Sequence, residues 1–84
     1  MKIEVTQKDI NKGLPGEYAL CPIALAFKRR TNFKQVYVNS KSIEVVYTAQ
    51  KINYDKTYML PKKAQTFIKR FDRQESVKPF SFEL

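Results

Sequence analysis

The stretch "LPKKAQTFIKRFD", residues 60–72, carries the clearest periodicity in the chain. Ala64, Phe67, Ile68 and Phe71 fall at i, i+3, i+4 and i+7, the spacing that lines one face of an α-helix with apolar side chains. Pro61 stands at the first turn, where a missing N–H costs nothing. A helix with one apolar stripe needs a surface to bury it against, and the flanking sequence must supply that surface.

The segment before it reads as antiparallel sheet. "QVYVN" (35–39) and "SIEVVYT" (42–48) set β-branched and aromatic residues on alternate positions, and the polar "NSKS" between them reads as a turn. In the second of these strands Ile43, Val45 and Tyr47 share one face, opposite Glu44, Val46 and Thr48. A third strand is expected within "KINYDKTYML" (51–60), with Asp55-Lys56 as a turn inside it. After the helix, "VKPFSFEL" (77–84) alternates Phe80, Phe82 and Leu84 as an edge strand that tolerates Pro79. "KIEVT" (2–6) alternates Ile3 and Val5 with Lys2 and Glu4, and its natural neighbour is the C-terminal strand.

Two further helices are expected. Thr6 caps "QKDINKG" (7–13), with Asp9 completing a capping-box pattern and Gly13 as the stop; "GLPG" (13–16) is loop chemistry. In "ALCPIALAFKRRT" (19–31) Pro22 suits the first helical position and Ile23, Ala26 and Phe27 share a face. Lys28, Arg29 and Arg30 close the last turn, where the macrodipole favours cations by ~0.3–1 kcal/mol each. Cys21 reads as a small buried hydrophobe. The fold class is therefore α+β. A three-strand central meander and paired terminal strands form a small antiparallel sheet, with two main helices and a short N-terminal helix on one face. Residues 1–84 make a single domain.

Composition narrows the function. Sixteen Lys and Arg against eight Asp and Glu leave a net charge of +8 on 84 residues, a field that favours encounters with polyanions. The chain has one cysteine and no histidine, so an intramolecular disulfide is excluded and a zinc site would rest on carboxylates alone. General acid–base work would fall to carboxylates, lysines or tyrosines, and no nucleotide-loop or dinucleotide motif is present. Asp72 and Glu75, just past a helix end, read as solvated or as partners of Arg70 and Arg73. The expectation is a protein that is not an enzyme and uses no cofactor. The apolar run Ala19–Phe27 is too short to span a bilayer, and "MKIEVTQKD" has no secretory h-region, so no membrane role and a cytoplasmic setting are expected.

The cations themselves supply the candidate site. Lys62 and Lys63 sit in the first turn of their helix, where the macrodipole disfavours them and an anion would be welcome. Lys69 and Arg70 lie on the same helix away from its apolar stripe, and Lys28, Arg29 and Arg30 form the second cluster. Tyr37, Tyr54 and Tyr58 are candidate stacking platforms on or near the sheet, as in proteins that lay bases on exposed rings between cations.

"CPIALAFKR", "LPKKAQTFIKRFD" and "VKPFSFEL", in this order, resemble segments of short uncharacterised proteins encoded by bacteriophages and prophages. The resemblance covers the beginning and end of the chain, not its centre. It implies a bacterial host cytoplasm and a small accessory protein that acts by binding, in host takeover or against host defence. The expected partner is nucleic acid or a nucleoprotein met through the basic face. The alternatives are a protein-directed, anti-CRISPR-like inhibitor that meets an acidic patch on a host defence or replication enzyme, and a homo-oligomeric structural component paired through an edge strand such as "FSFEL".

Overall fold

A computed structural model describes residues 1–84. Its elements are β1 (Lys2–Val5), α1 (Gln7–Lys12), α2 (Pro22–Thr31), β2 (Gln35–Val38), β3 (Ser42–Ala49), β4 (Ile52–Met59), α3 (Lys62–Asp72) and β5 (Phe80–Glu83). The strands form two antiparallel sheets, β1-β5 and β2-β3-β4. The expected α+β architecture holds, with the terminal strands paired as a separate ribbon.

The alternation seen in the sequence decides what each element buries. Ile3, Val5 and Phe82 turn inward from the terminal ribbon, and Val36, Val38, Ile43 and Val45 from the meander. Ile23, Ala26 and Phe27 of α2 and Ala64, Phe67 and Phe71 of α3 meet them in one core. Met1 and Leu84 close the ribbon: the amino terminus donates to the Leu84 carbonyl at 2.7 Å. The capping box forms as expected, with the Asp9 N–H on Thr6 Oγ1 and the Thr6 N–H on an Asp9 carboxylate oxygen. Gly13 does end α1, but its φ of −68° is open to any residue. Close approach is what requires glycine there, because an added Cβ would lie 2.5 Å from the Pro22 ring.

One expectation fails. Asp55-Lys56 is no turn: β4 pairs with β3 without interruption from Met59 opposite Ser42 to Ile52 opposite Ala49. The reversal lies at Gln50 and Lys51, whose φ values of 52° and 66° match the two-residue turn that twists with its strands. That turn favours Asn-Gly, so Gln-Lys carries no sequence signal for it. The consequence is a longer hairpin. β2 pairs β3 only as far as Gln35 opposite Val46. Residues 47–54 therefore run on past the body as a two-stranded arm, in a molecule measuring 43 × 22 × 19 Å.

Candidate functional site

Side chains directly opposite across the hairpin share a face. Ile43, Val45, Tyr47 and Ala49 on β3 therefore stand with Tyr58, Lys56, Tyr54 and Ile52 on β4. Ile43 and Val45 are buried under the helices. Beyond them the same face leaves the body and becomes exposed at Tyr47 (37%), Tyr54 (42%) and Ile52 (54%).

The rings form a continuous series. Phe27, in the core, lies parallel to Phe33 at 6.2 Å between centroids; Phe33 meets Tyr47 at 5.6 Å; Tyr47 stacks on Tyr54 at 5.5 Å and 21°. Core packing thus anchors the inner end of an aromatic ladder whose outer end faces water. Beside it, Asn32, Phe33, Lys34, Gln35, Tyr47 and Asn53 help line a hollow of about 480 Å³. Rings, amides and a lysine converge there. Lys56 adds a cation on the same face, its Nζ 4.8 Å from the centre of the Tyr58 ring, and Lys51 sits in the terminal turn.

The cations expected to form the site fall in different places. Arg29 is engaged internally: its guanidinium donates to both Asp9 carboxylate oxygens, at 2.6 and 2.9 Å, and to the Glu4 carbonyl at 2.9 Å. Burial pushes the Asp9 carboxyl up, but hydrogen bonds from Arg29 and Thr6 outweigh it and hold Asp9 below the ordinary carboxylate range. This clamp ties α1 to α2 and β1. Lys28 and Arg30 form no ion pair, and Arg30 shares a surface hollow with Lys2. Arg70 pairs with Glu75 at 3.5 Å; Lys69 is exposed on the outer side of α3.

Lys62 and Lys63 do occupy the first turn of α3, with neither an acidic residue nor a side-chain cap beside them. They are not brought together with the α2 cluster. α2 leads into β2 at Gln35, opposite Val46, whereas α3 follows β4 from Met59, opposite Ser42. Those rows stand four residues apart on β3, about 14 Å at the usual rise per strand residue. The arm projects from the α2 end.

Of the candidate stacking residues, Tyr54 is the one in the ladder. Tyr37 lies on the opposite face against Tyr18, and Tyr58 is half-buried against Phe27. Phe33, Tyr47, Lys34 and Lys51 were not legible as site residues. The available signal was an alternation, Ile43–Val45–Tyr47, that outlasts the width of a small core.

Cys21 lies buried at the N-cap of α2, and burial raises its thiol pKa. Asp72 accepts the Gly16 N–H at 3.0 Å, and Glu75 takes Arg70 and Arg73. No helix is long and apolar enough to cross a membrane. Compared with known proteins, the chain matches no family model, no curated protein and no solved structure.

Proposed function

We propose that this chain is a non-enzymatic binding protein for single-stranded nucleic acid, with the β3–β4 arm as its stacking platform. The observation that carries the reading is the exposed, stacked Tyr47–Tyr54 pair on an arm that buries no hydrophobic core. Bases stack on such rings whatever their sequence, and nearby cations hold the phosphates. Lys51 lies in the turn of the arm and Lys34 and Lys56 near its base; neither these nor Lys28 and Arg30, in the last turn of α2, has a carboxylate partner. Asn32 at the rim of the hollow offers an amide to the hydrogen-bonding edge of an unstacked base. A duplex hides both the faces and the edges that this surface would use. The setting is the one the resemblance implies, an accessory protein of phage or prophage acting in a bacterial cytoplasm.

Fluorescence anisotropy with labelled single-stranded DNA, single-stranded RNA and duplex tests this. Single strands should bind in preference to duplex. Tyr54→Ala should weaken binding about 5- to 150-fold, the ~1–3 kcal/mol of one base–ring stack, in a protein that keeps its melting temperature. Equal binding by Tyr54→Ala would end the stacking model. A partner recovered from bacterial lysate that survives nuclease treatment would favour a protein-directed inhibitor instead.

A further inference from the structure

We propose that two copies of this chain associate through β4, pairing edge to edge so that their arms form one continuous aromatic floor. The association rests on the geometry of the edge; only its use as a shared binding floor rests on the nucleic-acid reading above.

A two-residue turn makes the flanking Ala49 and Ile52 a hydrogen-bonded pair, and such pairs recur at every second residue. On β4 the backbone groups of Ile52, Tyr54, Lys56 and Tyr58 therefore point to β3. Those of Asn53, Asp55 and Thr57 point outward. Nothing in the fold meets them, since β4 is the last strand of its sheet and residues 52–57 are all exposed. The strand has no proline and no bulge, two of the devices that keep an edge from pairing. Two of the other edges, those of β1 and β2, are met by the rest of the fold. The Val38 N–H on β2 is taken by the Tyr18 carbonyl, and the Glu4 carbonyl on β1 by Arg29.

Charge permits a second copy, and charge together with the tyrosine ladder picks the register. β4 carries one Asp and one Lys, so the edge is neutral within a chain of net charge +8. Antiparallel pairing of two copies needs a two-fold axis perpendicular to the sheet, so a residue can face only residues on its own side of the strand. Centring the axis on Asp55 or on Lys56 sets like charges opposite each other. Centring it on Tyr54 sets Tyr54 opposite the second copy's Tyr54, Ile52 opposite its Lys56, and Asn53 opposite its Asp55. No like charges meet. Asn53 and Asp55 exchange backbone bonds across the join, and the ladder runs Tyr47–Tyr54–Tyr54–Tyr47. Centres on Asn53 and Thr57 also avoid like charges, but the first sets Tyr54 opposite Ile52 and draws the turn residue Lys51 into the ladder, and the second spends the contact on Tyr58, already covered by Phe27 and Lys56.

The perpendicular axis puts both bodies on the same side of the joined sheet. Because the strands are antiparallel, the bodies extend in opposite directions from the Tyr54 row. The row of four tyrosines then lies on the floor of a cleft between them. Each copy supplies half of that floor.

Light scattering and sedimentation on protein free of nucleic acid read the association directly. The mass should rise with concentration from one chain towards two. Asp55→Pro loses no bond to β3, because its N–H points outward, and should remain a monomer. Under mild oxidation Tyr54→Cys should cross-link to a dimer, since opposed residues in a non-hydrogen-bonded pair lie about 4.5 Å apart at Cα, within disulfide reach. Thr57→Cys should stay uncross-linked. Preferential cross-linking of Thr57→Cys would overturn this register. A parent protein that stays one chain at every concentration, with no Tyr54→Cys cross-link, would overturn the association. Either result leaves the anisotropy test standing on its own.

Discussion

The body and the arm use the same alphabet of residues for opposite ends. In the body, aromatic and β-branched side chains disappear from water: Phe27, Phe82, Ile3 and Ile43 are among the largest fully buried groups. In the arm, residues 47–54, the same strand alternation continues with nothing above it, and Tyr47, Ile52 and Tyr54 stay exposed. Burial is what stabilises a fold, at roughly 25 cal/mol per Å² of apolar surface removed from water. The arm's rings contribute little of that. The comparison teaches that this chain separates the residues that hold its shape from those it presents.

The largest expected effect breaks the body. Phe27→Ala empties a site at 0% exposure that touches both Phe33 and Tyr58, and should cost about 3–5 kcal/mol. For a domain this small that is a large share of the folding free energy, so thermal or urea unfolding should find the variant's midpoint far below the parent's. Tyr54→Ala should melt close to the parent. A Phe27→Ala protein that melts near the parent would erase the distinction between the two regions.

How much of this was legible in the sequence follows the same division. The body was readable because its periodicities end where burial ends. Ala64, Phe67 and Phe71 announce α3; Thr6 and Asp9 announce α1; Phe80 and Phe82 announce the strand that pairs with β1. Asp9 was legible as a cap but not as the ion-pair partner of Arg29, because a contact across 20 residues leaves no local pattern. The arm was obscured by its turn. Gln50 and Lys51 adopt left-handed conformations without the glycine or asparagine that would advertise them. Asp55-Lys56 looked more turn-like and set an expected turn inside the third strand. Placing the turn there broke β4 in two, which hid the Tyr47–Tyr54 pairing and with it the site.

A second test concerns the clamp at the base of the body. Arg29→Ala leaves the Asp9 carboxylate buried with only Thr6 to satisfy it. The cost should be about 3 kcal/mol, the low end for breaking a buried pair, because Arg29 itself is half-exposed. The parent also makes a pH prediction. Asp9 has its carboxyl pKa lowered on folding from an ordinary value of 3.8, so the unfolded chain takes up its proton first as pH falls. The clamp's contribution is complete above that ordinary value and is lost as pH falls below it, through the folded pKa. Acid titration monitored by circular dichroism should show Arg29→Ala losing less stability than the parent over that acid range. Parallel curves would mean that Asp9 is held by its cap alone.

The smallest expected effect sharpens the boundary of the site. Lys62 and Lys63 sit at the start of α3, against the helix dipole and uncapped, at the end of the sheet away from the arm. Replacing both by glutamine should raise stability by ~0.6–2 kcal/mol, twice the ~0.3–1 kcal/mol that one misplaced charge costs at a helix terminus. Its effect on binding depends on how far the ligand reaches. For single strands, each neutralised phosphate contributes ~0.7 to the slope of log affinity against log salt. If the strand lies on the arm, the Lys62→Gln/Lys63→Gln protein should lose less than one such step. Lys34→Gln/Lys56→Gln, at the base of the arm, should lose about two. A two-step loss from the α3 pair would carry the interface across the whole sheet, and the body would then share in presentation as well as in folding. A lysine that meets phosphate alone gives the same loss for every base sequence. A sequence-dependent loss from either pair would mean that a lysine reads a base edge.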